Sequence, residues 1–305
     1  MKFDLILTNP PFQDTTNRKK TPHKLWIDFT LSVFSRLLAD GGSLVQVSPS
    51  SFGSPSNVVL DLMSDHQARV LRFDTGHHFP DVASTFSDYW IEKKPHQGSP
   101  TCVSTSEGLF EILLDSSFSY LPNDIGEMSL SIHSKVMFSE GDRLAVSWDY
   151  VSAHNIRRYD DEPSLVEERD ELHPHPVFHT NRSTWWSSER QGWADSKKVM
   201  WTRSGYTKPF YDNGELGGTD MVYYIEVHSE EEGLSLSRLL NSKLFQYIFK
   251  TAKWSGFGNE RVFTALPKVD HQELFSDDDV FDCFGLTPEE VAYVERSLAA
   301  NRRKA

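Results

Sequence analysis

Hydrophobic and polar positions alternate with two different periods along the first hundred residues, and the switches between them mark out elements. Phe3-Asp4-Leu5-Ile6-Leu7-Thr8 reads as a short strand of buried type. It is stopped at once by Asn9-Pro10-Pro11, because proline donates nothing to a sheet ladder. Residues 13–24 are polar and basic and read as a loop. From about Pro22 to Ala39 the apolar positions Leu25, Trp26, Phe29, Val33, Phe34, Leu37 and Leu38 recur at helical spacing, and Asp40-Gly41-Gly42 is expected to end that helix. Ser43 to Val47 predicts a strand, Pro49 to Pro55 a loop, 56–66 a helix and 69–74 a strand. A further strand is predicted over 84–93, with Phe86, Tyr89, Trp90 and Ile91. The order β-loop-α-β-loop-α-β-loop-β predicts an α/β fold with a largely parallel, helix-covered sheet of partial Rossmann-like form.

Beyond residue 95 the texture changes. Ser, Gly, Pro and acidic residues become common and the α/β alternation is lost, so a boundary is placed within 95–130. Short strands and loops rich in His, Trp and Arg fill 131–225. A helix is predicted over 234–250 from Leu236, Leu239, Leu240, Leu244, Ile248 and Phe249. A last helix starts at Thr287-Pro288-Glu289-Glu290, a capping residue followed by a first-turn proline. No internal repeat is visible.

Composition narrows the class. The chain has 305 residues, 38% of them hydrophobic and 12% aromatic, enough to pack a core in one large domain or two ordinary ones. No apolar run approaches the roughly 18 residues of a membrane span, and the first residues are too quickly interrupted for a signal peptide. Cys102 and Cys283 show no metal or redox spacing, which fits a reducing, cytoplasmic setting. The net charge of −13 argues against a protein that coats nucleic acid by bulk electrostatics. Residues 1–100 are nevertheless neutral. The excess acid lies in runs such as Asp160-Asp161-Glu162, Glu230-Glu231-Glu232 and Asp277-Asp278-Asp279, which read as solvated surface.

The chemistry concentrates at Asn9-Pro10-Pro11-Phe12. An exocyclic amine on a base is a poor nucleophile, because its lone pair is delocalised into the ring. Two acceptors on its N–H bonds favour a tetrahedral nitrogen and free the lone pair. An asparagine oxygen and a proline carbonyl can supply them, the latter with its direction locked by the fixed φ. A neighbouring aromatic can stack on the base, and an enzyme acting on duplex DNA must flip that base out. Asn9, Pro10, Pro11 and Phe12 fit these roles at the carboxyl end of a strand, where open α/β sheets bind ligands.

With these residues the chain resembles the gamma-type N6-adenine DNA methyltransferases of restriction–modification systems. The likeness runs through Phe3–Phe12, Leu25-Trp26-Ile27-Asp28-Phe29, Leu37–Leu44, Val47–Phe52 and Phe79–Phe86. It is good over 1–95 and thin over 130–270, where Leu239–Leu244 and Ala265-Leu266-Pro267 look like the end of a recognition domain. The resemblance implies part of a class I methyltransferase sheet followed by an α+β domain of target-recognition type. The corresponding division is 1–125 for the catalytic half and 126–305 for DNA recognition. It also implies S-adenosylmethionine as cofactor and DNA as substrate. In that family an aromatic of the Phe-Pro segment packs on the flipped adenine opposite the catalytic aromatic. Phe79 matches that position, Phe86 is the second candidate, and core packing is the alternative for Phe79.

The family's glycine-rich cofactor turn precedes its catalytic loop, whereas here that loop starts at residue 9. The sole candidate turn, Trp254–Asn259, reads as an ordinary loop, and Gly217-Gly218 is weaker. The strand 3–8 is therefore expected to have an open apolar edge, and a second polypeptide is expected to bring the S-adenosylmethionine half. Arg18, Lys19, Lys20 and Lys24 either grip phosphates beside the flipped base or form a solvated basic loop. Trp185, Trp186, Trp193 and Trp201 interleave with Arg182, Arg190, Lys197, Lys198, Arg203 and Lys208. This pattern suits either a nucleic-acid surface, with Arg203 and Lys208 as contacts, or a β-rich core with a charged exterior. His173, His175 and His179 lack a completing ligand set, so no metal is expected. The alternatives to DNA adenine methylation are the same chemistry on RNA or a protein glutamine, and a non-catalytic DNA- or partner-binding remnant.

Overall fold

The computed structural model describes residues 2–13, 24–73, 75, 85–149, 154–180, 183–203, 208–254 and 260–301. Its contacts divide the chain into two units. Unit 1 comprises Met1–His133 with Thr251–Ser255, and unit 2 comprises Ser134–Lys250 with Gly256–Ala305.

Unit 1 is built around a six-stranded sheet. Its elements are β1 (Phe3–Thr8), α1 (Leu25–Ser32), β2 (Leu38–Pro49), α2 (Val58–Asp65), β3 (His66–Arg72), β4 (Phe86–Pro95), β5 (Thr101–Thr105) and β6 (Gly108–Ile112). The strand order is β1-β2-β4-β3-β5-β6. The β1–β2 and β3–β5 pairs are parallel and the other three antiparallel, so the sheet is mixed rather than largely parallel. β4 lies between β2 and β3 and runs against both. Apolar alternation places a strand's faces but carries no information on its direction.

The helix expected to reach Ala39 ends earlier. α1 passes into a π turn at Val33–Leu37, and Leu38, already extended, donates its N–H to the Val33 carbonyl. Leu38 is fully buried and pairs with Phe3, so core burial at the start of β2 outweighs continued helix. The α2 start is capped as its sequence allows, with the Asn57 side chain accepting from the Val59 N–H.

One face of this sheet is packed. The rows Ile6–Leu44–Ile91–Ala68 and Tyr89–Leu71–Val103 lie against Trp26, Val33 and Phe34 and against Val59, Leu60 and Met63 of α2. A buried polar link runs through that core. Gln46 Nε2 donates to Thr30 Oγ1 (2.6 Å) and to the Tyr89 hydroxyl (2.8 Å). The other face carries the row Leu7–Val45–Trp90–Val70, of which Leu7 is 69% and Trp90 38% exposed. β1 is the outer strand, and among the described residues nothing pairs with its free edge. Phe3, Leu5 and Leu7 of this outer strand are all exposed.

α3 (Glu127–Val136) leads into unit 2. There follow β7 (Ser147–Trp148), α4 (His154–Tyr159), β8 (Leu165–Val166), β9 (His175–Phe178), β10 (Thr184–Ser187), β11 (Lys197–Thr202), β12 (Phe210–Asn213), β13 (Gly217–Gly218) and β14 (Val222–Glu226). They form two four-stranded sheets, β13-β9-β10-β8 and β12-β11-β14-β7. The helices are α5 (Glu230–Asn241), α6 (Lys243–Thr251), α7 (Glu260–Phe263), α8 (Asp277–Cys283) and α9 (Pro288–Asn301). The single helix expected over 234–250 is two, because Ser242 adopts an extended backbone (φ −58°, ψ 157°) between α5 and α6. α9 starts where its cap predicts. Thr287 Oγ1 accepts from the Glu290 N–H while Glu290 Oε2 accepts from the Thr287 N–H. No helix among the described residues is long and apolar enough to cross a membrane.

Candidate active site

The Asn-Pro-Pro-Phe segment directly follows β1. Asn9 continues the odd-numbered series of Leu5 and Leu7 and is exposed, whereas Pro10 continues the even-numbered series of Ile6 and is buried. The chain is thus anchored at Pro10 and presents Asn9 outward at the carboxyl end of the strand. Pro11 is exposed and Phe12 half-buried, packed against the unit 1 core.

Phe12 rests on Phe86 at the start of β4, with ring centroids 5.1 Å apart and planes 33° apart. A base sandwiched between two rings needs them about 7 Å apart, twice the ~3.5 Å contact distance. In this geometry Phe86 therefore supports Phe12 and does not face it across a base. Phe86 itself is held from several sides. Thr75 Oγ1 donates to its carbonyl (2.7 Å), the Ser50 N–H donates to the Thr85 carbonyl (3.0 Å), and the Ser50 and Ser87 hydroxyls lie 2.6 Å apart. These bonds tie the start of β4 to Thr75 and to the turn that follows β2, beneath Phe12. Phe79, the expected second stacking residue, lies outside the described residues, as do Arg18, Lys19, Lys20 and Arg182. Lys24 is exposed immediately before α1.

An aromatic series continues away from the loop. Phe52 contacts Tyr89 (5.4 Å) and Phe73 (5.7 Å), and Phe73 stacks on Trp254 (5.5 Å, 28°). The Trp254 indole N–H donates to the Leu121 carbonyl at 2.5 Å. Asn123 holds the same segment by donating its N–H to the Thr251 carbonyl (2.7 Å) and its Nδ2 to the Lys253 carbonyl (2.6 Å). Deeper in unit 1, His133 sits between the Tyr120 hydroxyl (2.6 Å) and Thr251 Oγ1 (2.9 Å). Burial lowers its pKa to about 3, so its imidazole is neutral and structural. No spacing in the sequence marks the contacts of Thr251–Trp254 with Phe73, Leu121, Asn123 and His133, which join positions more than a hundred residues apart.

The described residues do not form a cradle for S-adenosylmethionine. In the connection from β2 to α2, a Cβ on Gly53 would stand 2.8 Å from Trp254 Nε1, so the space beside this glycine holds an indole. Gly217 and Gly218 form β13 against β9 and are closed in by Gln191 and Trp193. Ser255–Asn259 lie outside the described residues.

In unit 2 the Trp-rich, basic stretch is core for the most part. Trp185 is 7% and Trp201 2% exposed. Lys198 is fully buried, donating to Asp212 Oδ2 (2.7 Å) and to the carbonyls of Ala194 and Ser196 (2.9 Å each). Asp212 in turn accepts from the N–H groups of Gly214 and Glu215. β11 lies between β12 and β14, and five of its six residues are buried, so no alternation survives. Arg203 is half-buried after β11, and Lys208 is exposed before β12. His173 is engaged by Asp170 and the Pro163 carbonyl, and its pKa is raised first by the Pro163 bond. His179 stacks on Trp185 at 3.9 Å, and burial lowers its pKa to about 4. Among the described residues no three metal-ligating side chains come together.

No protein-family model matches this chain, and neither does any curated protein. Solved structures with partial likeness come from restriction–modification systems. A chain of a type I restriction–modification system aligns over 37% of this chain and 26% of its own length, at 18% identity and a TM-score of 0.28. The M protein of the type I restriction enzyme EcoKI aligns over 33% of this chain and 25% of its own length, at 18% identity and a TM-score of 0.26. The type IIL restriction–modification enzyme MmeI, solved in complex with DNA, aligns over 94% of this chain and 55% of its own, at 10% identity and a TM-score of 0.45. The chain thus spans about a quarter of the first two proteins and about half of the third. At these TM-scores the likeness is of partial shape, and no residue role is carried over from it.

Proposed function

We propose that unit 1 is the base-handling part of an amino-group methyltransferase that acts on adenine N6 in DNA, with residues 126–305 contributing DNA recognition. The observation that carries this reading is the loop after β1: Asn9 exposed, Pro10 anchored and Phe12 backed by Phe86. Asn9 Oδ1 and the Pro10 carbonyl accept the two N–H bonds of the amine and draw its nitrogen toward tetrahedral geometry. Pro11 keeps the turn rigid, and Phe12 stacks on the extrahelical base. Phe79 closes on the other face of that base. Arg18, Lys19, Lys20, Lys24, Arg203 and Lys208 hold the phosphates.

S-adenosylmethionine is the methyl donor this reading requires, and a cofactor-binding half that pairs along β1 supplies it. The unpaired edge of β1 and the exposed Phe3, Leu5 and Leu7 of that strand support such a partner. Burying one such side chain contributes about 1.5–3 kcal/mol, so a partner covering all three gains substantial affinity from them. The test is transfer of tritiated methyl from S-adenosylmethionine to unmethylated DNA and to RNA, using this chain co-expressed with its cofactor-binding half. Label in N6-methyladenine of DNA is expected. Label on RNA alone would move the assignment to an RNA amine, and no label on either would refute it.

A further inference from the structure

Unit 2 contains an open cleft of about 600 Å³ for which the methyltransferase chemistry has no use. Phe178, Phe210, Pro209 and Leu216 form its apolar lining, and Thr184, Lys208 and Asn241 supply polar groups. Phe178 and Phe210 meet edge to face, 5.1 Å between centroids at 81°, and make a fixed aromatic wall. Lys208 is exposed and forms no ion pair among the described residues. Asn241, the last residue of α5, uses both Nδ2 hydrogens, on the Pro209 carbonyl (2.6 Å) and the Ser237 carbonyl (2.7 Å). These two acceptors fix its amide orientation. Its Oδ1 is shielded from water and accepts nothing among the described residues. An acceptor left in that state lacks the partner that a ligand's N–H would supply.

A free anion would use Lys208 alone, and an apolar ligand would leave both polar groups unmet. A flat ring that carries an N–H and a linked negative charge uses all three features, and a cleft of this size is ordinary for such a ligand. We propose that this cleft takes one unpaired nucleotide of a DNA strand. Its base lies on the Phe178–Phe210 wall and donates an N–H to Asn241 Oδ1, while its phosphate pairs with Lys208. The inference rests on the reading that the chain binds DNA, and it adds a second base-holding site remote in sequence from the Asn9 loop.

The test is a fluorescence-anisotropy titration of the full chain carrying Asn9→Ala and Phe12→Ala, which removes the affinity of that loop for an unpaired base. Three labelled duplexes are compared at one salt concentration: fully paired, with one bulged cytosine, and with one bulged abasic residue. The abasic bulge shares the kink, so the difference reports the base. Stacking plus one hydrogen bond predicts at least about tenfold tighter binding of the cytosine bulge than of the abasic bulge. Phe210→Leu, which keeps volume and removes the ring, is expected to cut that preference to below about threefold. Lys208→Met should weaken the two bulged duplexes by a similar factor and the fully paired one less. Should Phe210→Leu fail to fold by circular dichroism, Thr184→Trp blocks the cleft from an exposed position, with the same expected loss. Equal, measurable affinity for the two bulges would overturn the pocket and leave the methyltransferase reading standing, as would a preference that survives these variants. Absence of binding to every duplex would remove both.

Discussion

Asn9 and Pro10 are neighbours with opposite environments, one in solvent and one in the core, and that contrast is what a presented acceptor needs. The identity of this pair and its place after a strand were legible from the chain alone. What Phe12 leans on was not, since Phe86 is 74 positions away and reaches it only through the β2–β4 pairing. Lys198 shows the opposite case: a residue type that suggested a surface cation is a structural anchor. Replacing it with methionine strands Asp212 in the core and is expected to destabilise unit 2 by about 3–5 kcal/mol in urea denaturation. A change under about 1 kcal/mol would contradict that role. His133 makes a pH prediction. Its folded pKa of about 3 lies below the ordinary 6.5, so its contribution is fully present above pH 6.5 and declines as pH falls from 6.5 toward 3. The slope in that window is about 1.4 kcal/mol per pH unit. Urea midpoints measured from pH 7 to 4 should therefore fall more steeply for the native chain than for His133→Gln, and parallel curves would contradict the assignment.

At the scale of elements, β1, the first turn of α1 and the cap of α9 follow from local pattern, because each is set by residues within a few positions of one another. The π turn at Val33–Leu37, the antiparallel placement of β4 and the break at Ser242 do not, because each is settled by what packs against it. The Trp-rich stretch left two readings open for the same reason, since the burial of β11 depends on partners distant in sequence. β1 makes the clearest element-level prediction. An outer strand bearing Phe3, Leu5 and Leu7 in solvent invites association. In sedimentation velocity the chain alone should self-associate, and Leu5→Lys with Leu7→Lys should shift it toward monomer without changing its circular dichroism. The same pair should also abolish pairing with the cofactor-binding half. Unchanged association would show that the edge is not the attachment surface.

For the whole molecule, unit 1 is assembled from two separated segments, with Thr251–Trp254 fastened to it through Asn123, Leu121 and Phe73. A fragment ending near the expected boundary at 125 would leave out His133 and Trp254, so unit 1 depends on chain well beyond that boundary. The charge is divided between a neutral first hundred residues and an acidic remainder, so any DNA contact must rest on local groups such as Lys24 and Lys208 rather than on net charge. The most direct measurement keeps the protein in its native setting. Single-molecule sequencing of genomic DNA from the source cells is compared with that from cells whose locus carries Asn9→Ala. The account predicts at least one adenine motif modified at N6 in the first and unmodified in the second, with the variant protein present at normal level. Identical N6-methyladenine patterns in the two would contradict it.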